Sequence, residues 1–81
     1  MDDLLKRILE AISEYSRRHG VRPARVVVRG PLIPQLVWQV AMYLLGTGTP
    51  VPEGFEEGFI SGVPLAERWA MDEDFRLEPT N

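Results

Sequence analysis

Ten consecutive residues, Leu36-Val37-Trp38-Gln39-Val40-Ala41-Met42-Tyr43-Leu44-Leu45, contain one polar side chain, Gln39, with Gln35 one turn earlier. At about 3.6 residues per turn this run makes nearly three turns of helix. A helix that is apolar nearly all round needs cover on nearly all sides, and a chain of 81 residues has little else to supply it. Three sources of cover are open: a small sheet, a second copy of the chain, or a partner. The run is about half the length that spans a bilayer, so the expectation is a buried or interface helix and no membrane partner. Leu36, Val40, Tyr43 and Leu44 form one stripe, while Val37, Ala41 and Leu45, and Trp38 with Met42, form others. They cannot all face one small sheet. Trp and Tyr are favoured interface anchors, so Trp38, Met42, Tyr43 and Val37 are the candidate interface residues.

Composition bounds the rest. Apolar residues make up 44% and charged residues 26%, too apolar for disorder and ordinary for a globular chain. The length corresponds to one domain, 1–81, near the lower end of what folds unaided. Without cysteine, neither disulfides nor thiolate–metal sites can staple so small a fold. The acidic start Met1-Asp2-Asp3 is unlike a signal peptide, and with the missing cysteines it gives the expectation of a cytoplasmic protein.

Residues 2–19 read as an amphipathic helix. Leu5, Ile8, Leu9, Ile12, Tyr15 and His19 recur every three or four residues, with charged residues between them. Asp2 and Asp3 suit the positive end of its dipole and Arg17 and Arg18 the negative end, and Gly20 is placed to close it. Val26-Val27-Val28 favours a strand over 24–29, with Val26 and Val28 on one face and Arg25, Val27 and Arg29 on a largely basic one. Pro34 suits the first turn of the second helix, which is expected to close at Gly46. The Gly46–Gly54 loop resembles a phosphate cradle only superficially, because it has no lysine and precedes no helix. Phe59-Ile60, a bend at Gly62, and a strand leaving Pro64 follow, with Trp69 and Met71 extending that strand's apolar face. Asp72-Glu73-Asp74 makes a turn before a short edge strand, Phe75–Glu78, and Pro79-Thr80-Asn81 is expected to fray. The fold class is therefore α+β: helix-strand-helix followed by two or three short strands, the small sheet covered on one face by two helices. A parallel strand after the second helix would make a crossover connection.

Charge is unevenly spread. Residues 1–45 hold seven Lys/Arg against four Asp/Glu, and residues 46–81 hold two against eight. Either the halves pack together and offset one another, or one basic and one acidic face favour association. Arg22, Arg25 and Arg29, with Arg17 and Arg18 nearby, form a candidate basic face. It would serve pairing within the chain, an acidic protein surface, or phosphates of nucleic acid. The acidic total and the lack of a reading motif weigh against nucleic acid.

Catalytic and metal signatures are weak. His19, the one histidine, has Ser16 three residues before it, but nothing marks an orienting third group or an oxyanion site. Its expected role is closing the helix end. Asp72, Glu73, Asp74 and Glu78 lack the ligand spacing and turn glycine of a calcium loop, so a solvated turn is expected. One histidine and no cysteine argue against zinc. No cofactor is expected, and no enzymatic activity.

Two segments carry a resemblance: Gly20-Val21-Arg22-Pro23-Ala24-Arg25-Val26, after the first helix, and Phe59-Ile60-Ser61-Gly62-Val63-Pro64-Leu65 before a closing polar–apolar strand. In this order the chain resembles small proteins encoded by tailed phages and prophages, which carry a similar Arg-Pro-x-Arg-Val strand and a late Gly-Val-Pro strand. The second helix here is more apolar than in that group. The resemblance implies a mobile-element origin and a non-enzymatic role, as an assembly component or a small inhibitor of a host defence complex. The expected function is a protein–protein interaction module, in the host cytoplasm if phage-encoded, with a protein partner or a homo-oligomer. The alternative is a nucleic-acid-binding accessory protein using the Arg-rich face.

Overall fold

A computed structural model describes residues 3–47 and 58–79, and most of the loop from Gly46 to Gly54, Phe55, and the last two residues lie outside them. The first helix, α1, spans Leu4–His19 and buries Leu4, Leu5, Ile8 and Ile12. Asp3 caps its start by accepting the Lys6 backbone N–H at 3.0 Å, and Gly20 closes it at φ +73 while donating to the Ser16 carbonyl at 2.9 Å. The apolar stripe does not stay buried to the end: Tyr15 is half-buried and His19 exposed. Sixteen residues of helix run about 24 Å, whereas a five-residue strand runs roughly 17 Å, so α1 is longer than β1.

The strand β1 (Arg25–Arg29) leads through a 3-10 turn, Gly30–Leu32, into α2 (Ile33–Thr47). Three short strands complete the fold: β2 (Phe59–Ile60), β3 (Val63–Arg68) and β4 (Phe75–Glu78). They form a mixed sheet of order β2-β3-β1-β4. β1 lies parallel to β3, with Val26 opposite Leu65, and antiparallel to β4, with Val26 opposite Leu77 and Val28 opposite Phe75. The β1–α2–β3 path is thus a parallel crossover. β2 and β3 form a hairpin in which Ile60 pairs with Val63 across Ser61 and Gly62, at φ 52 and 81. Two successive positive φ values are what a tight two-residue hairpin turn requires.

Val26 and Val28 share one core with the buried residues of α1, with Leu36 of α2, and with Ile60 and Val63; Leu65, Phe75 and Leu77 pack against it. Both helices therefore cover the same face of the sheet, and the α+β architecture follows the expected order of elements.

Three local expectations are corrected. α2 runs through Gly46 to Thr47, because one glycine inside a helix costs only about 1 kcal/mol. β3 ends at Arg68, so Trp69 and Met71 do not extend its apolar face. The Trp69 indole instead lies so close over Gly30 that a Cβ there would collide with it. The face opposite the helices is not wholly exposed either: Val27 is buried between its register neighbours Ala66 and Arg76.

Candidate functional site

The second helix divides its apolar residues between two sides. Leu36 is fully buried, and Ile33 and Val40 pack against the core beside it. About a quarter of a turn from this buried stripe, Gln39 points at α1, where its Oε1 accepts the Leu5 backbone N–H at 2.8 Å. The first N–H groups of a helix have no partner inside it, and Asp3 serves the Lys6 N–H. Gln39 serves another from a different helix. The one polar residue in the apolar run thus sets the level at which α1 and α2 meet.

On the far side of α2, large apolar side chains face outward. Val37 is 57% exposed, Trp38 58%, Met42 49%, Tyr43 43% and Leu45 76%. Tyr43 stands at the margin of the helix rather than with the buried Leu36, as its stripe on the helical wheel would have it. Trp38, Met42 and Tyr43 also form one wall of a groove of about 600 Å³ whose other wall is Leu5, Lys6, Leu9 and Glu10 of α1, with Gln39 between the walls. Monomeric soluble proteins seldom leave a contiguous apolar patch much above a few hundred Å². The four candidate interface residues Val37, Trp38, Met42 and Tyr43 are thus all solvent-facing, and Trp38, Met42 and Tyr43 share the groove wall.

The candidate basic face has a different character. Arg25 forms an ion pair with Glu78, the residue directly across from it on β4. Arg29 reaches Asp74 at 3.2 Å while its backbone N–H donates to the Asp74 carbonyl at 3.0 Å. Arg7 of α1 binds the other Asp74 oxygen at 2.8 Å and lies 5.9 Å from the Phe75 ring centroid. Asp74 therefore ties helix, central strand and edge strand together. Chiefly through the hydrogen bond from Arg7, with the fields of Arg7 and Arg29 adding, its pKa is held below the ordinary aspartate value, and burial opposes the shift. The Arg22 guanidinium lies against Gly62, where a Cβ would strike it. Arg17 and Arg18 both bind Glu14, at 2.6 and 2.9 Å, and hydrogen bonds from the two lower its pKa. The arginines clustered in sequence are largely engaged with the chain's own carboxylates.

The remaining candidates carry little chemistry. Glu73 pairs with Arg76 at 3.2 Å, and Asp74 is no solvated turn residue but the centre of the network above. No group of three or more His, Asp or Glu is arranged to hold a metal ion among the described residues. The exposed His19 ring packs against Tyr15 at a 39° tilt with centroids 4.3 Å apart, and Ser16 contributes its carbonyl to the helix cap. No helix of the described residues is long and apolar enough to cross a membrane. Sequence reasoning missed the Asp74 network, which depends on strand register, and the Leu5–Gln39 bond, which a lone glutamine in an apolar helix signals. No family model, curated protein or solved structure matches this chain.

Proposed function

We propose that this chain is a non-enzymatic protein–protein interaction module that docks through the outward side of α2. One observation carries the reading: Val37, Trp38, Met42 and Tyr43 are each at least 43% exposed on a helix whose Leu36 already sits in the core, and the last three line one groove. Desolvating such a surface is favourable by about 25 cal/mol per Å² of apolar area. Aromatic anchors beside a groove are the side chains that dominate contact energies. The resemblance to phage-encoded proteins supports a role in a host cytoplasm, as an assembly component or as an inhibitor of a host complex.

Nucleic acid is the weaker occupant. Phosphates would have to compete with Glu78 for Arg25 and with Asp74 for Arg29, and nucleic-acid binding depends on protein cations that displace the counterions condensed on the phosphates.

A photo-crosslinking amino acid introduced at position 38, in cells of the source organism or its host, tests the docking reading. A discrete adduct is expected from position 38 and none from position 13, on the exposed side of α1. Equal, diffuse labelling from both positions, or no adduct from position 38, would overturn it.

A further inference from the structure

We infer that the occupant of this surface is a second copy of the chain, seated antiparallel about a two-fold axis; the inference rests on α2 being the docking element. Charge is the first argument. From Ile33 to Thr47, α2 carries no charged residue, so the surface has no electrostatic preference of its own. Beside the capping Asp3, the groove is flanked by one cation and one anion, Lys6 and Glu10. Neither forms an ion pair among the described residues, whereas Arg7, Arg17, Arg18, Arg25, Arg29 and Arg76 all do. An acidic or basic partner would satisfy one of the two and repel the other. A second copy satisfies both.

Symmetry is the second argument. In a two-fold contact, residue i meets j and j meets i. An axis crossing α1 midway between Lys6 and Glu10 sets each against its opposite in the other copy. The Leu5–Gln39 bond fixes the level of α1 against α2, and the α2 wall of the groove at that level runs from Trp38 to Tyr43. The same axis therefore crosses α2 near Ala41. Ala41 is exposed and lies on the helical wheel between Val37, Trp38 and Leu45, so two copies of α2 can approach closely there. Antiparallel pairing then brings Trp38 of each copy towards Leu45 of the other.

Area is the third. Two half-exposed aromatics, each carrying about 150–250 Å², together with Val37, Met42 and Leu45, make a patch on the order of 500 Å² per chain. Across both copies this is roughly 1,000 Å², where specific interfaces begin. A contact of that size gives a dimer that dissociates on dilution.

Sedimentation velocity over a concentration series tests the inference. The wild type is expected to move reversibly from 9.2 kDa to twice that mass. Trp38→Ser is expected to remain monomeric. Lys6→Glu and Glu10→Lys, both at exposed positions, set like charges against each other and are each expected to weaken the dimer about tenfold or more. Mixing those two variants restores opposite charges at both contacts and should give a mixed dimer of near wild-type strength, which a mere folding defect would not do. A wild type that stays monomeric, a dimer indifferent to Trp38→Ser, or no rescue on mixing overturns the inference. The adduct from position 38 separates the two readings. A monomer crosslinked to a different protein refutes the second copy and leaves the docking reading standing, and a monomer with no adduct refutes both.

Discussion

The two helices lie against the same face of the same sheet, yet they treat water in opposite ways. α1 buries Leu4, Leu5, Ile8 and Ile12 and turns Lys6, Arg7, Glu10, Ser13, Arg17 and Arg18 outward. α2 buries Leu36, half-buries Ile33 and Val40, and turns Val37, Trp38, Ala41, Met42 and Leu45 outward. Burial of one stripe explains α1 completely. It explains only half of α2, because a helix touching a small sheet presents one side to it whatever the other side is made of. The outer face of α2 is apolar surface that the fold itself leaves exposed, and the docking proposal rests on it.

The difference is tested most strongly by removing the stripe that both helices share with the core. Ile8 is 0% exposed, and truncating it leaves a cavity as well as lost burial. Ile8→Ala should destabilise by about 2–5 kcal/mol, read as a shifted midpoint in chemical denaturation with an unchanged slope. Leu36→Ala, on the buried side of α2, should fall in the same range. If the α2 truncation cost much less, the second helix would be an appendage rather than half of the core.

A smaller effect is expected where the two helices are joined. Gln39→Leu keeps the volume but removes the acceptor for the Leu5 N–H. Leaving a partly buried donor unsatisfied costs about 1–3 kcal/mol. Amide hydrogen exchange sharpens the prediction, because the added exchange should concentrate in the first turn of α1. A uniform loss of protection would mean that Gln39 acts through general packing.

Much of this molecule could be read from its residues, and the failures share a cause. Three consecutive valines placed β1, and the spacing of Leu5, Ile8 and Ile12 with Gly20 behind them placed α1 and its end. Both signals are local. Gly46 misled because a glycine's small helical penalty is outweighed wherever the neighbouring turn is anchored. The role of Asp74 was invisible because it depends on β4 lying beside β1 in a register that puts Phe75 opposite Val28, and no short window of sequence contains both strands. The charge split between the halves leaves pairing of the basic cluster with the chain's own acids as one reading among three, and which acid meets which arginine is a matter of register for Arg25 and Arg29. At α2 the sequence revealed a surplus of apolar surface, and the side left over was decided by where Gln39 and Leu36 had to point.

Asp74 links the polar side of α1 to the sheet. Its pKa is lowered in the folded chain, so its contribution is present above the unfolded value of about 3.9 and is lost as pH falls through the folded value. Asp74→Asn should therefore be less stable than the wild type at neutral pH, and the gap should close progressively below about pH 4. Denaturation midpoints of both proteins between pH 2 and pH 7, at low salt, provide the check. Parallel curves would mean that Arg7 and Arg29 are held as well by a neutral amide.

The smallest expected effect is the one that separates the helices most sharply. Trp38→Ser combined with Met42→Ser removes two large apolar side chains from α2, a change that would unfold most small domains if made in the core. Both residues are about half exposed, and their outer surfaces contact water rather than protein. Surface substitutions of this kind usually change stability by no more than about 0.5 kcal/mol. Any association through this face adds stability that grows with protein concentration, so the comparison belongs at concentrations where the wild type is monomeric. There the double variant should match it, and at higher concentrations the wild type alone should become more stable. A large loss at every concentration would mean that these side chains hold the subunit itself together, and the contrast between α1 and α2 would then be one of packing rather than of partners.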